Sequence, residues 1–382
     1  MATLSQWQKI DRVLSGCPFG NGSDGAYSSA TIPTLTKDSC SGTATSTTLT
    51  TTSATFANGD ILYLHQSRGT GVGQWEINRV VSGGGTTTLT LQEALHYTYT
   101  DSGASQAQAI KIPQYTNCTV QSGTWTVPSW DGNVGGFLPL AIKGNLTITG
   151  TTTGAGNSYH GGARSATGVA QGKTGEGSVG AGDVDSSTPN GSGGGGGKST
   201  TNQCGGGGGG NGSEGADTAG NDAGGGTSGT ADLTNITFGG SGGGGGSSNS
   251  GGTYGGGHGG TGGGIVILFV KNVVSVNSLI VTGGAGENWG GTTGGAGGGG
   301  GGAGGSVLIA CQTATLGTAV VTAAGGAAGA GNGGENNGGA GGVGRIAVHH
   351  SGAVTGTTSP TFTDVSDPTL IESNAGVLMN FI

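Results

Sequence analysis

The sequence predicts an all-β protein: an N-terminal antiparallel β domain, followed by a stacked β core that carries long glycine-rich insertions packed as polyglycine II helices. Three observations predict it. Runs alternating apolar with polar residues fill the stretch from about 30 to 150. A unit of two strands recurs from 138 onward, and 95 glycines in 382 residues gather into tracts that leave and re-enter those units.

Composition supports this class and removes others. Only 8% of residues are charged and the net charge is −8, whereas ordinary globular chains carry about 25% charged residues and about 7% glycine. A disordered chain normally stays soluble through charge, and this one has little. The acidic balance argues against a nucleic-acid partner, which would need a basic stripe. No segment approaches the roughly 18 apolar residues of a membrane span; the longest apolar run, IVILFV at 265–270, has the length of a strand. The opening MATLSQWQKIDRVLSG lacks an apolar h-region, so no cleaved secretory signal is expected. Cys17, Cys40, Cys118, Cys204 and Cys311 form no C-x-x-C pair, which indicates neither a zinc site nor a closed disulfide framework. Cys17 with Cys40 is the one pairing worth considering.

Residues 1–29 form an N-terminal helix and lead-in, with Trp7, Ile10, Val13 and Leu14 spaced as a helical stripe. That stripe packs on its own domain or docks on another subunit. Residues 30–137 form a β-rich attachment or assembly domain. Within and just beyond it, GDILYLHQ (59–66), TTTLTLQ (86–92), QAIKIPQ (108–114), CTVQSGTWTV (118–127) and LAIKGNLTITG (140–150) are β-branched-rich and bounded by Gly, Asn, Asp or Pro.

From 138 to 352 the strand pair repeats. Its copies are LPLAIKGNLTITGTTTGAG (138–156), IVILFVKNVVSVNSLIVTGGAG (265–286) and SVLIACQTATLGTAVVTAAGGAAG (306–329), with a half-copy GRIAVHHSG at 344–352. Repeated pairs with loops always leaving on one side indicate a stacked core in which each unit buries its neighbour's face. The insertions are 151–264, 283–305 and 323–343, and 353–382 remains as a C-terminal segment. Its last residues include Leu378 and Phe381, which fold back as a cap or pair with a neighbouring subunit.

Free glycine chains lose the most entropy on ordering, so the tracts are either floppy loops or an ordered lattice. Polyproline II geometry has three residues per turn and no internal hydrogen bonds. Helices of that kind packed side by side can bond to one another, and only glycine lets the backbones come so close.

No catalytic constellation assembles. Gly197, Lys198 and Ser199 imitate the end of a phosphate-binding loop, but its first glycine would fall on Ser192, and neither strand nor helix flanks it. His349 and His350 adjoin on one strand and so face opposite ways, which is wrong for shared metal ligation. Asp217 and Asp222 fit a calcium nonapeptide only loosely. No cofactor and no metal are expected. The residues that stand out are Tyr159 and His160 in GNSYHGG, Tyr254 and His258 in GGTYGGGHGG, and Trp289 in GENWGG. A ring among glycines has little local core to join, so it either pins tracts together or is displayed for contact.

Tracts such as GGGGGKS, CGGGGGGNG, GGSGGGGGSS and GGAGGGGGG, interrupted by short polar or aromatic segments, resemble the glycine-rich receptor-binding tips of bacteriophage long tail fibres over about 150–345. The resemblance implies a polyglycine II bundle holding exposed loops against a host surface. The N-terminal half is similar instead to uncharacterised glycine-rich surface proteins of environmental bacteria. The expected function is therefore a non-enzymatic extracellular adhesive or structural protein, on a virion or a bacterial cell. Its partner would be a cell-surface glycan or protein, or copies of itself in a homo-oligomer. A self-assembling filament subunit and, last, an ice-binding protein are the alternatives.

Overall fold

A computed structural model describes residues 19–165, 170–198, 204–218, 222–246, 255–290, 295–332 and 336–370. The stripe of Trp7, Ile10, Val13 and Leu14, the terminal Leu378 and Phe381, and Tyr254 lie outside the described residues. The described residues are essentially all β, and no helix among them is long and apolar enough to cross a membrane.

The chain begins with β1 (Tyr27–Ser29) and then builds a six-stranded antiparallel barrel. Its strands are β2 (Lys37–Ser41), β3 (Thr48–Thr51), β4 (Ile61–Arg68), β5 (Trp75–Ser82), β6 (Thr88–Leu91) and β7 (Gln106–Lys111), closed in the order β2-β3-β6-β5-β4-β7. The two-residue period places Leu49, Leu62, Leu64, Val80, Leu89 and Leu91 inside, where burial of each is worth about 1.5–3 kcal/mol. Closure leaves no strand edge.

After the barrel come β8 (Gln114–Tyr115), β9 (Cys118–Val120), β10 (Thr124–Thr126), β11 (Phe137–Ile142), β12 (Leu146–Ile148) and β13 (Thr151–Thr153). They continue into β14 (Ile265–Val276), β15 (Leu279–Ile280), β16 (Ser306–Thr322), β17 (Arg345–His350), β18 (Val354–Ser359) and β19 (Thr363–Ser366). Every pairing among β1 and these strands is parallel, and the sheet curls into a stack of coils with three faces. The first face stacks β8, β11, the start of β14, the start of β16, β17 and β19. The second stacks β1, β9, β12, the end of β14, the middle of β16 and the start of β18. The third stacks β10, β13, β15 and the ends of β16 and β18.

This register changes the expected division of the chain. Because β1 pairs with β9 across the barrel, the barrel is an insertion between the first coil and the second. A boundary at 137 therefore falls inside the stack, since β8, β9 and β10 already belong to it. The alternating pattern alone could not separate the two regions, because parallel coils and antiparallel barrel strands share a period of two.

The run IVILFV explains how the two parts join. Val266, Leu268 and Val270 point into the coil stack, beside Leu138, Leu140, Ile142, Val307 and Ile309. Ile265, Ile267 and Phe269 point outward against Ile61, Tyr63, Trp75 and Ile110 of the barrel. A strand covered on both faces reads as continuous apolar sequence.

The tracts emerge at 154–264, 282–305 and 323–344, all on one side of the stack, and they bond mainly to one another. In the innermost tract, Gly297, Gly300 and Ala303 donate to Gly246, Gly243 and Gly240. Gly298, Gly301 and Gly304 donate to Asn336, Gly339 and Gly342, while Gly299, Gly302 and Gly305 donate to Glu287, Gly284 and Val281. Its carbonyls accept from Gly257, Gly260 and Gly263, from Gly206 and Gly209, and from Gly326 and Gly329. Each neighbour is thus met at every third residue, and the tract has six of them, with N···O distances of 2.7–3.0 Å. The requirement for glycine here is close approach: a Cβ on Gly300 would lie 2.0 Å from the carbonyl oxygen of Gly207.

Candidate functional site

Two places in the bundle gather the residues that stood out in the sequence. One lies where the barrel, the coil stack and the tracts meet. The other is the far end of the tracts.

At the junction, Glu176 is buried and both of its carboxylate oxygens are engaged. Oε1 accepts from the guanidinium of Arg68, at the end of β4, and from Trp130 Nε1 at 3.1 Å. Oε2 accepts from the backbone N–H of His160 at 2.9 Å and pairs with His160 Nδ1 at 3.1 Å. The hydrogen bond to Glu176 raises the His160 pKa above its ordinary value, against the effect of burial. A carboxylate with both oxygens held has no free lone pair to offer a substrate, so the group ties three regions together. Tyr159 belongs to the same tie. Its hydroxyl donates to the carbonyl of Ser67, and its ring meets Phe238 at 5.1 Å and Trp130 at 6.3 Å.

Display of Tyr159 for contact is therefore corrected: the ring is fully buried and pins the excursion 154–264 to the barrel. The glycines beside it supply no core, but the barrel and Phe238, 79 residues away along the chain, do. His160 is exposed, with its imidazole turned back to Glu176.

The segment around 228–238 is a second strap between the parts. Trp75 Nε1 donates to the carbonyl of Leu233 at 3.2 Å, and the amide of Ile236 donates to Gly73 at 2.9 Å. His65 is fully buried, with Nε2 2.8 Å from the Ile236 carbonyl and Nδ1 3.0 Å from Ser67 Oγ. Burial lowers its pKa to about 4. A neutral ring donating through Nε2 leaves Nδ1 to accept from the serine. On β17, His349 reaches the Asp232 carbonyl through Nε2 at 2.8 Å, and burial lowers its pKa as well. His350 lies on the other side of the strand and contacts Asp364 at 2.5 Å. Neither His65 nor His349 stood out as a strap in the sequence, because Nε2 of each meets a backbone carbonyl more than 100 residues away along the chain.

At the far end, the residues bordering 166–169, 199–203, 219–221, 247–254, 291–294 and 333–335 are bonded into one group. Ser165 N donates to Gly245, Gly246 N to Cys204, Gly297 N to Gly246 and Gly298 N to Asn336. Cys204 N donates to Lys198, and Lys198 N donates to Asp222 Oδ2 at 3.3 Å. These bonds join residues of separate stretches into one group at this end of the tracts. Asp222 is buried there, and burial raises its pKa; burial, with Asp222 second, pushes the Cys204 thiol up to about 11. His258 and Trp289 stand near this end and are half-buried. The backbone of His258 donates to Glu287 Oε2 at 3.4 Å, and its Nδ1 accepts from Arg164 N at 3.3 Å. Trp289 is held by its backbone, which donates to Ala330 at 2.9 Å. His258 runs beside the stretch that leads to Trp289, its carbonyl accepting from Glu287 N at 2.8 Å, whereas Tyr159 lies at the junction with the barrel.

Among the described residues, no group of three or more His, Cys, Asp or Glu is placed to hold a metal ion. No protein-family model, no curated protein and no solved structure matches the chain.

Proposed function

We propose that this chain is a non-enzymatic extracellular structural or adhesive protein of the surface or fibre-tip type. In this reading the barrel and coil stack are the base, the glycine tracts are polyglycine II helices, and their far end is displayed for contact. The observation that carries the proposal is the step of three in the hydrogen bonds of 296–305 toward six neighbours. Polyproline II geometry has three residues per turn and leaves every N–H and C=O pointing outward, so three donor rows and three acceptor rows each serve one neighbour. Such a bundle is stiff without a side-chain core, which suits a part whose work is to hold a surface away from its base. The resemblance to phage long-tail-fibre tips supports the same reading, and it implies a cell-surface glycan or protein as partner.

Limited proteolysis followed by mass spectrometry tests the ordered bundle. The expected result is survival of 190–260 together with the barrel; rapid cutting throughout 190–260 with the barrel intact would overturn it.

One observation favours filament formation as the second reading. Among the described strands, β1 pairs only with β9 and β18 only with β16, so each end of the coil stack carries an edge strand. Negative-stain images of the purified protein separate the two readings, since a filament subunit forms long rods and a displayed tip does not.

A further inference from the structure

The geometry points to a binding site for a neutral saccharide on the barrel, remote from the far end of the tracts. A groove of about 470 Å³ lies between the β2–β3 turn and the segment 98–102. That volume falls within the size range of small-molecule sites. Its walls are fixed by backbone bonds. Gly42 and Tyr99 exchange N–H···O bonds of 3.0 and 2.8 Å, and the amide of Ala44 donates to Thr98 Oγ1 at 3.1 Å.

Behind the second wall, fully buried Gln66 holds Thr100 from both sides. Gln66 Oε1 accepts from Thr100 N at 2.8 Å, and Gln66 Nε2 donates to Thr100 O at 3.0 Å. A wall fixed in this way does not have to be ordered when a ligand arrives.

The lining chemistry selects the ligand class. On β3 the burial alternates, so Leu49 and Thr51 are buried while Thr48 and Thr50 face the groove. Thr43 and Ser102 also line it, and among the described residues no hydrogen bond engages the hydroxyls of Thr43, Thr48, Thr50 or Ser102. A hydroxyl both donates and accepts, which matches another hydroxyl better than it matches a fixed charge. No lysine, arginine or histidine lines the groove, which disfavours an anion. The one aromatic residue, Tyr99, is buried beneath the surface, so no ring platform invites an apolar ligand. Asp101 is the single carboxylate of the lining, too few for a divalent cation. It can accept two hydroxyl donors from adjacent carbons of a sugar, as a charge-assisted pair. Burial raises its pKa, a hydrogen bond from the Ser39 side chain opposes this, and Asp38 nearby adds to the rise; the carboxylate keeps acceptor capacity beyond the Ser39 bond.

The full-length protein is titrated calorimetrically with a set of uncharged disaccharides, both plain hexose and N-acetylated, and with sulfated forms of the same sugars. Saturable binding of at least one uncharged sugar is expected, weaker for its sulfated form. Asp101→Asn and Thr50→Val should each weaken it by about tenfold. Thr50→Val keeps a β-branched residue on an exposed strand, so loss of the fold is not the cause of a lost signal. Absence of saturable binding to every uncharged sugar, equal affinity in both variants, or preference for the sulfated sugars would each overturn the site. Because the groove and the far end of the tracts share no residue, sugar binding that survives in the groove variants but falls on changing His258 or Trp289 assigns the glycan to the displayed end instead.

Discussion

In the barrel, leucines and valines fill a closed interior and the backbone pairs in short antiparallel ladders. In the segment 296–305 no side chain beyond a methyl occupies the interior, and its backbone bonds with six neighbouring segments of the three tracts. The two regions place opposite demands on sequence. The barrel tolerates exchange of one apolar side chain for another of similar volume but suffers when atoms are removed. The bundle has nothing to remove and suffers when a single carbon is added. Order in a protein therefore does not require an apolar core, provided every buried N–H and C=O finds a partner.

The sharpest break of this comparison is Gly300→Val. The added Cβ would sit 2.0 Å from a backbone oxygen, and backbone cannot move aside as a flexible side chain can. We expect a loss above about 4 kcal/mol. Hydrogen exchange should show amides of 239–246 and 297–305 losing protection first, while those of β3 and β6 keep theirs longest. Equal protection in the variant and the parent protein would mean that the tracts are not packed as described.

Glu176→Ala tests the tie between the regions rather than either region alone. It leaves the buried Arg68 guanidinium without its partner, which typically costs about 3–5 kcal/mol. Chemical denaturation should then separate into two transitions, one for the barrel and one for the remainder, where the parent protein shows one.

Leu89→Ala in the barrel core should cost about 3 kcal/mol and lower the midpoint without touching protection in the tracts. Side-chain truncation has no counterpart in the bundle, so this variant calibrates the comparison from the other side.

The straps give a pH dependence. The folded pKa of His65 is about 4, below the ordinary 6.5, so the unfolded chain binds the proton more readily. Stability is therefore present above pH 6.5 and lost as pH falls toward 4, by about 2 kcal/mol from His65 between pH 7 and 5. His349 adds to the loss in the same direction. His160, whose pKa is raised, opposes it, with a contribution present at low pH and lost as pH rises through its folded pKa. Melting temperatures measured from pH 7 to 5 should fall, and His65→Gln should flatten the slope. The smallest effect is expected from Asp364→Asn, which removes a largely exposed partner of His350 and should change stability by less than about 1 kcal/mol.

The far end and the junction were unequally legible. His258 and Trp289 could be picked out as rings or imidazoles among glycines, and both are half-buried in the tracts rather than in the core. Tyr159 carried the same local signature and lies in the core, because its partners Trp130, Phe238 and Ser67 come from three other stretches of chain. Glu176, in KTGEGSVG, carried no signal at all: an acid in a glycine-rich loop looks solvated until Arg68 and Trp130 are brought to it.

The sequence by itself determined that the described strands are β, where the repeated unit recurs, and where the glycine tracts leave and return. Those features depend on a period of two and on bracketing strands, both readable within twenty residues. That each unit is a coil of three strand faces rather than a strand pair came from the structure. Tertiary structure alone decided that the barrel is inserted between two coils, since β1 and β9 pair across 88 intervening residues with nothing local to announce it. It also decided which tract lies beside which. A glycine has no side chain with which to specify a neighbour, so the choice falls to the strands that fix where each tract starts and to the lengths between them.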